Sequence, residues 1–259
     1  MNKKALVVVS FGTTYKIAQT AIEQIEQRLA TTFGEYDFYR AFTSKMVINK
    51  LAQTEGLYVD TPLELLEKLY HDGYEEILCQ SLHVINGIEY EYMLADLEKY
   101  KYKFKEVKVG RPLLTHEEDY AKCVKILGEN LPQLQDDEAV ILMGHGSQHY
   151  SNGAYSQLED TFHYLDYDTI YIGTVEGFPP LHAVLKKTSK KPIRKIYLSP
   201  FMIVAGDHAR NDLAGDEEDS WKSVLEKSGY EIEVIMKGLG EYSEIGELFV
   251  SHCLKAYAL

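Results

Sequence analysis

Two stretches decide the fold: Leu6-Val7-Val8-Val9-Ser10-Phe11-Gly12-Thr13, and its echo Val140-Ile141-Leu142-Met143-Gly144-His145-Gly146-Ser147. Each is a short run, apolar at nearly every position, that breaks into a glycine-bearing turn. Such a run is the pattern of a strand buried on both faces, as in a parallel sheet covered by helices. Laid over each other, the stretches place Gly12 on Gly146 and Phe11 on His145. A second pair runs parallel further along, Ser81-Leu82-His83-Val84-Ile85-Asn86-Gly87-Ile88-Glu89 against Pro200-Phe201-Met202-Ile203-Val204-Ala205-Gly206-Asp207-His208, with Gly87 on Gly206 and Glu89 on His208. Matched glycines after matched strands point to an internal duplication.

Working outward, β-rich runs alternate with helical patterns along the whole chain, which defines the class as α/β. The first half is expected to hold strands at Ala5–Ser10, Asp37–Ala41, Glu76–Ser81 and Val107–Gly110. Helices are expected at Tyr15–Thr32, Glu89–Tyr102 and from Glu117 to about Leu131. Thr61-Pro62-Leu63-Glu64 reads as a capping box with proline in the first turn, opening a helix that stops near Gly73. The polar stretch Pro132–Glu138 suggests the internal boundary, giving domains 1–134 and 135–259, with room for the last helix, Tyr242–Tyr257, to pack back on the first. Second-half strands are expected at Ala139–Met143, Thr169–Thr174, Lys195–Ser199 and Glu231–Met236. Two similar parallel-sheet domains of flavodoxin-like (Rossmann) type would bind a ligand in a cleft at the carboxyl ends of their strands.

Composition narrows the function. With 259 residues, 45% apolar and 26% charged, the chain can bury a sizeable core. A net charge of -13 has the wrong sign for broad phosphate neutralisation, so nucleic acid is not an expected partner. No run of 18 apolar residues exists, so neither a membrane span nor a membrane partner is expected. Cys79, Cys123 and Cys253 show no CxxC spacing, which favours a reducing compartment and a cytoplasmic location.

Three ligand-type residues follow three successive second-half strands: His145, Glu176 and His208, spaced by 31 and 32 residues. One strand-helix-strand unit takes roughly 30 residues, so this spacing returns the chain to the same sheet edge each time. Neighbouring strands lie about 4.8 Å apart, which brings the three side chains within joint reach of one ion. Two imidazoles and a carboxylate suit cobalt, nickel, iron or zinc and leave positions open for exchange. His149 and His163, 14 residues apart, match no ligand spacing and read as surface histidines, whereas His83 reads as a core residue.

The sequence resembles the anaerobic sirohydrochlorin cobalt chelatases of the CbiK type, relatives of the class II chelatases that include ferrochelatase. The likeness is carried by Ala5–Thr13, Arg40-Ala41-Phe42-Thr43-Ser44, Gln80–Gly87, Met143-Gly144-His145-Gly146 and Val204-Ala205-Gly206-Asp207-His208-Ala209. Asp219-Ser220-Trp221-Lys222 and Gly238-Leu239-Gly240-Glu241 extend it towards the end, while Ser147–Tyr155 departs from the family pattern. The resemblance implies a two-domain chelatase fold with a tetrapyrrole between the halves. It implies His145, Glu176 and His208 as metal ligands and His145 as proton acceptor. The reaction it implies is ATP-independent insertion of Co2+, as substrate metal and with no nucleotide, into sirohydrochlorin or precorrin-2 in anaerobic cobalamin synthesis. Iron or nickel insertion into the same ring, or non-catalytic carriage of metal or tetrapyrrole, are the alternatives. Association into a homo-oligomer is compatible with the resemblance.

Insertion removes two pyrrole N–H protons while a metal reaches the ring face, so a base and an exchangeable metal site are needed together. Glu89, matched to His208 by the repeat, is either a second proton acceptor or metal guide, or an ordinary first-turn glutamate favoured by the helix dipole. Ser10, Phe11, Gly12, Arg40 and Met202 are the candidate substrate-binding residues. Phe11 and Met202 would contact the ring, and Arg40 its carboxylates, against an acidic protein that repels them at long range. The run Asp216-Glu217-Glu218-Asp219 could attract metal, but more simply marks a solvated helix end.

Overall fold

The computed structural model describes residues 3–259. It divides into two compact units, one formed by the chain up to Thr115 together with Gly240–Leu259, the other by His116–Leu239.

In the first unit, strands β1 (Lys3–Ser10), β2 (Asp37–Phe42), β3 (Tyr74–Ser81) and β4 (Glu106–Gly110) form a parallel sheet in the order 2-1-3-4. A two-residue strand, β9 (Tyr257–Ala258), adds antiparallel to β4. Alternate side chains of β1 face opposite ways. Ala5, Val7 and Val9 join the core under α3 (Pro62–His71) and α4 (Ile88–Tyr100), where Leu65, Leu69, Met93 and Leu97 are buried. Helices α1 (Lys16–Thr32) and α9 (Ser243–Leu254) pack on each other and on the same sheet. The capping box at α3 forms as the residue types require: Thr61 Oγ1 accepts the Glu64 N–H at 3.3 Å, and Glu64 Oε2 accepts the Thr61 N–H at 2.8 Å. One further helix, α2 (Lys45–Glu55), fills the β2–α3 connection and is not anticipated by the periodicity; Ser44 caps it through the Val47 N–H.

In the second unit, β5 (Glu138–Gly144), β6 (Ile170–Thr174), β7 (Lys195–Phe201) and β8 (Glu231–Val234) form a parallel sheet in the order 6-5-7-8. This is the first unit's order over again. Ala139, Ile141 and Met143 pack against Val184 of α7 (Leu181–Thr188) and against Trp221 and Leu225 of α8 (Trp221–Lys227). The repeat extends to the backbone, because Gly12 and Gly146 hold φ +87° and +84° at equivalent turns. Only glycine adopts such angles without strain.

Two expectations are corrected. The division falls after Thr115, not at 134, because α5 (Glu117–Asn130) packs on α6 (Gly153–Tyr164) and the Tyr167 ring fills the space beside Gly128. The polar segment at 132–138 is thus a loop inside the second unit. The last helix ends at Leu254, three residues short of the expected end, and the chain then turns extended to pair with β4. Among the described residues, no helix is long and apolar enough to cross a membrane.

Candidate metal centre

The in-register pairing of β5 with β6 and β7 sets Gly144 level with Thr174 and Phe201, so three chain segments leave the sheet side by side. The first carries His145 directly after β5, and the second carries Glu176 two residues after β6. In the third, Ser-Pro-Phe at the end of β7 leads through a bend to His208, which opens a π-helical turn over Ala209–Leu213. One ligand atom from each of His145, Glu176 and His208 lies within 4.8 Å of the other two. The imidazoles meet edge to face, with ring centroids 4.7 Å apart and planes at 89°. Glu176 Oε2 stands 3.9 Å from His145 Nδ1. The two histidines are half-buried and Glu176 is exposed, so the group opens to solvent on the carboxylate side.

Hydrogen bonds assign the tautomers. His145 Nδ1 lies 2.9 Å from the Gly146 carbonyl oxygen, which can only accept, so a neutral ring carries its proton on Nδ1 and presents Nε2 as the lone-pair nitrogen. His208 Nδ1 lies 2.8 Å from Asp212 Oδ2, with the same consequence. Both imidazoles thus have the outer-shell partner that orients a metal-ligating histidine. Asp212 is absent from the sequence reading, although its place four residues after His208 on a helical turn was a usable signal.

The Gly-His-Gly sequence follows from packing. The Tyr155 ring, 2% exposed, occupies the space a side chain at Gly144 would need. Burial pushes its phenol up to about 12, against the pull of the His145 and Gly146 backbone N–H groups. A side-chain carbon at Gly146 would stand 2.5 Å from the Gly177 nitrogen. The loops that carry His145 and Glu176 therefore approach as closely as backbones can, joined by bonds from Glu176 N–H to His145 O at 2.8 Å and from Val175 N–H to Gly144 O at 3.1 Å.

The other candidates do not form one set. Arg40, on β2, is turned to Glu26 of α1: Nε donates to Glu26 Oε1 at 2.8 Å and Nη2 pairs with Oε2, with Glu23 3.6 Å away. Glu26 is 4% exposed, and burial pushes its carboxyl up against the pull of Arg40. This guanidinium is held by a buried carboxylate instead of being presented to a ligand. Met202 packs against the hydrophobic cluster of the second unit, and its carbonyl accepts the Leu239 N–H. Phe11 is exposed at the end of β1, as ring contact would require. Ser10 is buried, its Oγ without a hydrogen-bond partner among the described residues, and Gly12 leaves room for the Phe42 ring. Glu89 lies half-exposed in the first turn of α4, behind a Gly87 cap that makes no side-chain bond.

Of the remaining histidines, His149 is bonded to Ser151, and His163 Nε2 to the Ile170 carbonyl. Glu218 and Asp216 of the acidic run lie near Lys227 and Lys222. All three cysteines are buried and unbridged.

Two α/β units, each built on a parallel sheet and one carrying the His145–Glu176–His208 group at its sheet edge, give the chain a fold similar to that of the class II chelatases. SirB from Bacillus subtilis, solved with Fe3+, has a TM-score of 0.65 at 12% identity, covering 98% of this chain and 95% of that one. CbiX, described as the terminal enzyme for siroheme biosynthesis in denitrifying bacteria, gives 0.56 at 13%, covering 97% and 98%. At these identities the likeness is one of fold. Sequence carries the assignment further: the profile of the family described as cobalt chelatase (CbiK) matches residues 4–258, and the chain belongs to that family. A sirohydrochlorin cobaltochelatase of Salmonella typhimurium is 38% identical over 255 residues, which is 98% of this chain and 96% of that protein. Sirohydrochlorin cobaltochelatase CbiKC of Nitratidesulfovibrio vulgaris is 30% identical over 259 residues, covering 99% and 91%.

Proposed function

We propose that this chain inserts Co2+ into sirohydrochlorin without a nucleotide, in the cytoplasm, where buried unbridged thiols stay reduced. The observation that carries the proposal is the convergence of His145, Glu176 and His208, within 4.8 Å, in a chain of the cobalt chelatase family. The reaction exchanges two pyrrole N–H protons for one dication. Nε2 of each histidine and the Glu176 carboxylate take up Co2+ from the open side, and three protein ligands leave positions for the ring nitrogens. As those nitrogens displace the protein ligands, the His145 imidazole becomes available as a base, so it serves as ligand first and proton acceptor second. Glu89 is assigned as the second acceptor. Phe11 is assigned as a ring contact on the exposed end of β1.

The test is anaerobic spectrophotometry of sirohydrochlorin with Co2+, Fe2+ or Ni2+. Wild type should accelerate insertion, fastest with Co2+, whereas His145→Ala and His208→Ala should fall to the uncatalysed rate while still binding the ring. A wild type that binds ring and metal without accelerating insertion overturns the proposal in favour of a carrier. A faster rate with Fe2+ or Ni2+ overturns the choice of metal.

A further inference from the structure

Asn152 stands at the N-cap position of α6 but makes no side-chain capping bond. Asparagine is among the residues best suited to that bond. Its amide is instead spent between the two loops that carry His145 and Glu176. Oδ1 accepts the Ser147 N–H at 2.9 Å, and Nδ2 donates to the Phe178 carbonyl at 2.6 Å. Ser147 lies two residues beyond His145 and Phe178 two residues beyond Glu176, so one planar group ties equivalent points of both ligand loops. Gly177 completes the arrangement, because a side-chain carbon there would collide with Asn152 Oδ1 and stand 2.9 Å from the Ser147 nitrogen.

We infer that Asn152 is a positioning residue that sets the distance between His145 and Glu176, and hence the affinity and coordination geometry of the site for a divalent cation. The inference rests on the reading of His145, Glu176 and His208 as metal ligands. The direct backbone bonds between the loops lie on the sheet side, at Gly144–Val175 and His145–Glu176. They leave the outer parts of the loops to be joined by side chains, and Asn152 bridges them there with a donor and an acceptor at fixed separation. Gln148 adds only a long bond, Nε2 to the Glu176 carbonyl at 3.3 Å. An ionised aspartate of the same size accepts from Ser147 but cannot donate to Phe178, so Asn152→Asp opens the Glu176 side alone. Asn152→Ala opens both sides.

The test titrates Co2+ alone into the full chain, read by visible d–d absorption, together with thermal unfolding of the metal-free protein. Four proteins are compared with wild type: Asn152→Asp, Asn152→Ala, Gly177→Ala, and the control Lys187→Ala. The control strips an ion-pair partner from buried Glu159 elsewhere in the same unit. Asn152→Asp should weaken Co2+ binding about tenfold or more, the scale on which outer-shell partners act, and change the absorption envelope. Gly177→Ala should do the same by displacing the Asn152 amide, whereas Lys187→Ala should lower the melting temperature and leave affinity within twofold. Equal affinity in wild type and all Asn152 and Gly177 variants overturns the inference. So does an affinity loss in Lys187→Ala that matches theirs at equal loss of stability, since the effect is then one of folding alone. If wild type itself binds no Co2+, the metal-site reading falls and this inference with it.

Discussion

His208 Nδ1 and Asp212 Oδ2 lie 2.8 Å apart, joined across the π-helical turn that follows the β7 loop. A carboxylate on the far nitrogen is the partner that fixes the orientation of a metal-binding imidazole. Asp212→Ala should therefore weaken Co2+ binding by roughly 10- to 100-fold. Asp212→Asn, which can still accept from Nδ1–H through its carbonyl but carries no charge, should lose less. Isothermal titration under anaerobic conditions checks the order; equal affinities for the three proteins would remove Asp212 from the site.

Arg40 and Glu26 make the opposite case, a charge that looked available and is not. Removing the guanidinium leaves a carboxylate buried without its partner, which should lower stability by about 3 kcal/mol in Arg40→Ala. Pairing Arg40→Met with Glu26→Leu should recover most of it, because buried ion pairs are replaceable by apolar residues of similar volume. Urea unfolding of wild type and the two variants measures both effects. Co2+ affinity should stay at the wild-type value throughout, since neither side chain belongs to the ligand group.

The same contrast shows what a sequence can hold. The His145–Glu176–His208 group was legible because parallel strand-helix-strand units recur at nearly constant length, so equal spacing encodes a common sheet edge. Gly12 and Gly146 were legible as a pair because both turns demand positive φ. The Arg40–Glu26 pair was not, because their separation of 14 residues follows no local period and depends on how α1 lies over β2. The placement of α5 failed for a similar reason. A polar linker marks a flexible connection, but the side that owns a helix is settled by packing such as Tyr167 in the space beside Gly128, which no local pattern records. Asn152 was hidden by its own suitability as an ordinary cap.

His83 supplies a pH dependence. Its Nδ1 is bonded to Ser81 Oγ at 2.8 Å, Nε2 is buried without a partner among the described residues, and burial pushes the ring down to about 4. Above about pH 6.5 the ring is neutral folded and unfolded. Between 6.5 and 4 the unfolded chain binds a proton that the folded chain refuses, so stability falls as pH falls, by up to about 3 kcal/mol. His83→Asn should flatten that part of the curve, measured as the urea midpoint at a series of pH values from 7.5 to 4. An unchanged slope would mean that other groups carry the acid sensitivity.

Gly146 and Gly12 occupy equivalent turns with φ near +84° and +87°, but only Gly146 adjoins the His145–Glu176–His208 group. Alanine at either position is strained, at a cost on the order of 1–3 kcal/mol, and both variants should lose stability. The crowding differs in kind. At Gly12 the added carbon would meet the Phe42 ring at 2.6 Å, a side chain that can shift; at Gly146 it would meet the Gly177 backbone nitrogen at 2.5 Å. Relief at Gly146 must come from parting the His145 and Glu176 loops. Gly146→Ala should therefore weaken Co2+ binding at least tenfold on the scale of outer-shell effects, while Gly12→Ala, at similar cost in stability, should bind Co2+ as wild type does. Paired Co2+ titrations and urea unfolding separate the two. Equal affinity loss in both variants would show that the turns act through folding alone, and no loss in either would show that loop separation does not limit the site.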